Sequence, residues 1–242
     1  MADAPGPGQA AARFLLNINQ DQLLEYNKFC EEQSFWLDDY ALFMVLKTKF
    51  ANKSWLAWPL TIRKRDQNFL SHFIQDHKDE LKAQKFYQYL FFNQWLKLKK
   101  YANDRAIEII GDAPIFVSMD SADVWTHPDL FRLNERLEPE VVAGVPPDYF
   151  SKTGQLWGNP LYDWPTHKNT NYRWWVDRIK SNLQLFDYIR LDHFRGFSGY
   201  WEVPAQMPTA EIGHWLPGPG GDLFDALIGE FSELPIIAED LG

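Results

Sequence analysis

The chain has 242 residues, and its 33 Asp and Glu outnumber 24 Lys and Arg to give a formal charge of −9, with a pI near 5.1. Nucleic acid and anionic membranes demand basic surfaces, so neither is an expected partner. A single cysteine excludes an intrachain disulfide, and six scattered histidines offer no metal-ligand spacing, so neither metal nor cofactor is expected.

Residues 1–12 are dominated by Ala, Gly and Pro and read as a disordered leader. They lack the basic and apolar regions of a secretory signal, and no apolar run approaches the ~18–20 residues of a membrane span. A cytoplasmic location is the default expectation. Asn19 with Gln22 resembles a capping box that opens a helix. From Phe35 to Phe50, the residues Phe35, Trp36, Tyr40, Phe43, Met44 and Phe50 follow a helical period, and Trp58-Pro59 is expected to break that helix. A longer helix is expected from about Asn68 to Tyr101, its aromatic residues serving the core or the packing between helices.

The character of the chain then changes. Ile107-Glu108-Ile109-Ile110 is a β-branched run followed by Gly111-Asp112-Ala113-Pro114, which reads as a buried strand and a tight loop. Residues 120–166 hold many Asp, Pro and Gly with little periodicity, and so long an irregular segment is usually functional. A helix over about Asn171 to Phe186 presents Tyr172, Trp175, Val176, Ile179, Leu183 and Phe186 on one face. Strand 187–191, a Pro- and Gly-rich loop at 204–221, a helix near 222–232 and strand 235–238 follow. Strands that alternate with helices indicate an α/β fold with parallel strands. Three strands cannot close a barrel, so the expected object is an open sheet or part of a larger one.

Two strand ends carry the chemistry. Alternate strand residues share a face, so Arg190 and Asp192 should lie side by side, the guanidinium favouring the ionised carboxylate. The last strand brings Glu239 to its carboxyl end, unpaired and free to donate a proton. Two such carboxylates suit glycosidic chemistry, although an Arg-x-Asp is also a common structural ion pair, and Glu239-Asp240 could be solvated loop residues. Aromatic residues form 16% of the chain, with 11 Trp, a composition that serves a core and also suits stacking on sugar rings.

Four blocks of residues resemble the amylomaltases, the 4-α-glucanotransferases of glycoside hydrolase family 77. They are Gly111 to Val117 with Ser121 to Trp125, Ala143 to Ser151 with Gly154 to Tyr162, Arg190 to Phe197, and Ile236 to Gly242. The resemblance implies part of a (β/α)8 TIM barrel, about strands 3 to 5. It makes residues 13–242 the central portion, with inserted helices at about 17–101 and a substrate loop at about 120–166. It further implies a retaining transfer of α-1,4-glucan segments between maltooligosaccharides, within glycogen, starch or maltodextrin metabolism. Asp192 would be the nucleophile and Glu239 the acid/base, their carboxyls about 5–5.5 Å apart. Arg190 would keep Asp192 ionised, and Asp112 and His193 would line the sugar at the point of cleavage. Tyr149, Phe150, Gln155 and Trp157 would contact the glucan from the loop, unless they pack only on one another. The family's third carboxylate and an N-terminal tyrosine have no counterpart, so the chain is expected to be a central fragment, inactive alone. The rival readings are a non-catalytic α-glucan-binding relative and a hydrolase of the α-amylase type.

Overall fold

The computed structural model describes residues 18–239; the expected leader at 1–12 and the terminal Asp240 to Gly242 lie outside the described residues. The chain divides into two compact units, Met1–Lys97 and Leu98–Gly242.

The first unit is helical. Helix α1 (Gln20–Glu32) opens with the expected capping box, in which Asn19 accepts from the Gln22 N–H and Gln22 reaches back to the Asn19 N–H. Helix α2 (Ser34–Lys49) buries Leu37, Ala41, Leu42, Phe43, Val45 and Leu46. It stops well before Trp58-Pro59, contrary to expectation. Ala51 and Asn52 turn left-handed at φ 53° and 57°, which a continuing helix cannot accommodate. Ser54 then caps a short 3-10 turn over Trp55–Ala57, and Pro59 starts α3 (Leu60–Arg63). Trp55 and Trp58 are buried beside this helix, with the Trp58 ring 5.5 Å from Phe43. The long helix expected from Asn68 is two helices, α4 (Gln67–Asp76), capped by Asp66, and α5 (Lys78–Asn103). They are separated at His77, where φ is −118°. A second core cluster joins Tyr26 of α1 to Ala83, Phe86 and Tyr89 of α5.

The second unit holds two sheets. Strands β1 (Ile110–Pro114), β4 (Tyr188–Asp192) and β7 (Ile236–Ala238) form a parallel sheet in the order β1-β4-β7. β1 lies three residues later than the β-branched run suggested, so Asp112 is inside the strand and not in a loop. Asp187 explains the shift. Its carboxylate accepts from the Ile109 N–H at 2.8 Å, and its own N–H donates to the Ile109 carbonyl at 2.8 Å, which sets where pairing begins. Gly111, Ala113, Ile189 and Leu191 form the buried face. Helix α8 (Arg173–Leu185), close to the predicted helix, packs against β1 and β4 through Trp175, Val176 and Ile179. Gly111 is required there, because a Cβ would stand 2.1 Å from the Phe186 ring. Helix α9 (Gly221–Glu230) buries Leu223 and Leu227 and packs on α8.

The segment expected to be irregular contains a second sheet. After α6 (Ala122–Thr126), β2 (Val141–Val145) and β3 (Gln155–Pro160) form a hairpin, and helix α7 (Trp164–Asn169) follows. β5 (Gly199–Pro204) and β6 (His214–Pro217), the latter inside the predicted 204–221 loop, complete an antiparallel sheet in the order β3-β2-β5-β6. Val142, Val203 and Ala210 form its small core, and Arg132 pairs with the buried Glu202. No described helix is long and apolar enough to cross a membrane.

Candidate active site

The parallel register builds the site. Asp112 pairs with Arg190 and Arg190 with Ile237, so the two charged side chains lie in one row on one face of the sheet. Pro114 pairs with Asp192 one row further on. Leu191 pairs with Ala238, and the Glu239 N–H donates to the Leu191 carbonyl at 3.2 Å. Asp192 and Glu239 are therefore the next neighbours at the carboxyl ends of adjacent parallel strands, whose axes lie about 4.8 Å apart.

Arg190 has more to do than the sequence indicated. Its Nε and Nη2 bond both oxygens of Asp112 at 2.9 Å each, and Nη2 also lies 3.0 Å from Asp192 Oδ1. One planar guanidinium thus holds two carboxylates of opposite strands in a fixed fork. Asp112 raises the Arg190 pKa first of all, with Asp192 and Glu239 adding to it.

The Glu239 carboxylate has a main-chain partner that the sequence did not indicate. Its Oε2 accepts from the main-chain N–H of His193 at 2.9 Å. That contact follows from the backbone: His193, directly after the strand-ending Asp192, is left-handed at φ 52°. Such a conformation is uncommon outside glycine and is found most often at sites where the surrounding structure enforces it. It ends β4 abruptly and enters a 3-10 turn over Phe194–Phe197. The imidazole of His193 is buried, which pushes its pKa below the usual histidine value, while Glu239 and Asp192 oppose the shift.

From the second sheet, the Trp157 ring meets the His193 ring edge-on at 4.8 Å, and its indole N–H donates to Gln155 Oε1 at 3.1 Å. Asn159 donates to the Val117 carbonyl at 2.9 Å, which ties β3 to the segment after β1. The end of β1 is fixed in turn by the Tyr162 hydroxyl on the Ile115 carbonyl at 2.7 Å and by Arg178 on the Pro114 carbonyl at 2.6 Å. No sequence signal pointed to Tyr162, Arg178 or Asn159 as supports, because their partners are carbonyls distant in the chain. Asp112, Arg190, Asp192, His193, Glu239, Trp157 and Gln155 are thereby linked by direct contacts. Tyr149 and Phe150 are not. They sit on the turn between β2 and β3, 99% and 92% exposed, in contact with each other at 5.9 Å. The Asp148 carboxylate holds that turn by accepting from the Phe150 and Ser151 N–H groups. Among the described residues, no group of three His, Cys, Asp or Glu could hold a metal ion.

The chain as a whole resembles known proteins. Residues 8–242 match the glycoside hydrolase 77 family, described as 4-alpha-glucanotransferase. The chain belongs to that family. It is 50% identical over 228 residues to a 4-alpha-glucanotransferase of Clostridium butyricum, covering 94% of this chain and 47% of the relative. A 4-alpha-glucanotransferase of Aquifex aeolicus is 49% identical over 226 residues, covering 93% and 46%. The solved amylomaltase of Streptococcus agalactiae in complex with acarbose superposes with a TM-score of 0.91 at 43% identity, covering 98% of this chain and 47% of that one. The chain spans about half the length of the curated relatives it matches.

Proposed function

We propose that the complete protein is a 4-alpha-glucanotransferase that moves α-1,4-glucan segments between maltooligosaccharides by double displacement with retention. The observation that carries this reading is the strand-end pair, Asp192 beside Glu239, with Arg190 bonded to Asp112 and Asp192. Asp192 attacks the anomeric carbon as the glycosidic bond breaks, and Glu239 gives its proton to the departing oxygen. With Oε2 accepting from the His193 N–H, Oε1 is the oxygen left to carry that proton. In the second half, the 4-hydroxyl of an acceptor glucan returns a proton to Glu239 and displaces Asp192. Retention of this kind needs carboxyls about 5–5.5 Å apart, a spacing that neighbouring parallel strands can supply.

Asp112 and His193 line the sugar at the point of cleavage. Trp157, Gln155, Tyr149 and Phe150 contact the glucan, the aromatic rings meeting the apolar C–H faces of the sugars. In the same reading, β1, β4 and β7 are about strands 3 to 5 of a (β/α)8 barrel. Residues 13–242 are its central portion, with the helices at 17–101 inserted and the 120–166 segment forming the substrate loop. The protein acts in the cytoplasm, in glycogen, starch or maltodextrin metabolism.

The test is Asp192→Asn in the complete protein. Disproportionation of maltotriose should fall by several orders of magnitude, as expected on removal of an essential nucleophile, while maltooligosaccharides still bind. Turnover close to wild type would overturn the assignment. Glucose as the sole product of the unmodified protein would instead indicate a hydrolase.

A further inference from the structure

Gly196 lies in the turn that follows the strand of Asp192, and its surroundings leave no room for a side chain. A Cβ placed on it would stand 2.7 Å from Ile115 Cδ1 and 3.1 Å from His193 Cδ2. Its φ is not in the left-handed region, so the need for glycine here is one of space and not of backbone conformation. Neither neighbour can retreat easily. Ile115 is buried at 2% exposure, directly after β1, and the His193 ring is itself buried and in edge-on contact with the Trp157 ring at 4.8 Å. The Gly196 N–H donates to the His193 carbonyl at 2.9 Å, so the two residues are joined through the main chain as well. His193 in turn holds Glu239 Oε2 through its own N–H. A displacement that reaches the His193 main chain therefore moves a hydrogen bond that orients the Glu239 carboxylate.

We propose that Gly196 is a positioning residue for proton transfer by Glu239: by leaving space for the His193 ring, it lets the left-handed His193 present its N–H to that carboxylate. The proposal rests on the proposed function, and specifically on Glu239 as the acid. A group held within a fraction of an ångström loses much of its effect when misplaced, and about 1 Å can cost on the order of 100-fold in rate. The loss should be confined to steps that need the acid.

The experiment compares two donors in the complete protein carrying Gly196→Ala. Maltotriose has a leaving group that needs a proton, whereas glucosyl fluoride has one that does not. First-turnover cleavage of maltotriose is expected to fall about tenfold or more, and first-turnover fluoride release to change less than about threefold, because only the former draws on Glu239. The alkaline limb of the pH–rate profile for maltotriose, where the acid has lost its proton, should also shift. Should Gly196→Ala fail to fold, the double variant Ile115→Val, Gly196→Ala removes the nearest clashing atom and leaves only the pressure on His193. It should fold and keep the donor-selective loss. Glu239→Gln is run beside them. If Glu239→Gln is donor-selective while a folded Gly196 variant behaves like wild type, or loses both donors equally, this proposal fails alone. A Glu239→Gln without donor selectivity overturns the role of Glu239 itself.

Discussion

The two faces of the β1-β4-β7 sheet are made from alternate residues of the same strands, yet they are built to different rules. One face is Gly111, Ala113, Ile189 and Leu191, sealed against α8. Behind it lies an aromatic cluster in which Trp175 sits 5.4 Å from Tyr162 and 5.2 Å from Phe197. The other face carries Asp112, Arg190 and Asp192 beside Ile110 and Ile237, which are 59% and 39% exposed. Burial of apolar area stabilises the first face. The second face exposes charges and apolar side chains together, an arrangement that contributes little to stability. The lesson is that stability and chemistry are separated here by the two-residue period of a strand, so the two should respond to mutation independently.

The largest effect on folding should come from the sealed face. Leu191→Ala deletes a side chain that is 1% exposed and leaves a cavity, which costs about 2–5 kcal/mol. Denaturant unfolding of the complete protein should show it directly. Its neighbour Asp192→Asn, one residue away, should leave unfolding unchanged and, under the proposed function, remove the transfer activity of the complete protein. An equal loss of stability in both would dissolve the distinction between the faces.

The same alternation explains what could be read from the sequence. β4 and α8 were legible because Tyr188 to Leu191 is a compact run feeding a charged end, and because α8 repeats its apolar residues at helical spacing. The second sheet was not. Val141 to Val145 shows no alternation of apolar and polar residues, and β6 carries Pro217, so their pairing depends on each other and not on local preference. Gly154 closes the β2–β3 hairpin at φ 69°, where a Cβ would meet the Val145 carbonyl at 2.4 Å, a requirement visible only once those strands are paired. Asp192 and Glu239 stood out as strand-end carboxylates. The fork of Arg190 on Asp112 and the His193 bond to Glu239 did not, since the first needs the register of β1 and the second a left-handed residue that is not glycine.

A middle-sized effect tests the cluster behind the sealed face. His167 is fully buried among Tyr162, Trp164 and Trp174, with the Leu130 carbonyl and the Asp163 and Asp129 carboxylates opposing the effect of burial on its ring. Burial pushes its pKa down to about 4. The unfolded chain therefore binds a proton below about pH 6.5 that the folded protein refuses until about pH 4, and stability falls as the pH drops through that window. The contribution reaches up to about 3 kcal/mol at the acid end. His167→Phe removes the titration and keeps an aromatic ring in place. Compared with wild type, its unfolding free energy should decline less between pH 6.5 and pH 4. Parallel curves for the two proteins would mean that His167 is protonated or hydrated in the folded state.

The smallest effect on stability is expected on the open face, and it is the sharpest test of the comparison. Arg190→Lys keeps the positive charge but replaces a planar fork with a single ammonium. The ammonium cannot reproduce the two parallel bonds to Asp112 and also reach Asp192 in the same geometry. Because the Arg190 side chain is only partly buried, at 37% exposure, thermal unfolding should stay close to that of wild type. Under the proposed function, the rate of transfer by the complete protein should drop about ten- to a hundredfold, the range expected when its proposed nucleophile Asp192 is held less firmly. Most of that loss should appear in kcat, since the misplaced group acts on the reacting bond rather than on the length of glucan bound. If Arg190→Lys instead lowers the unfolding temperature as much as Leu191→Ala does, the fork is holding β1 to β4. The charged row would then belong to the architecture of the sheet and not to its chemistry.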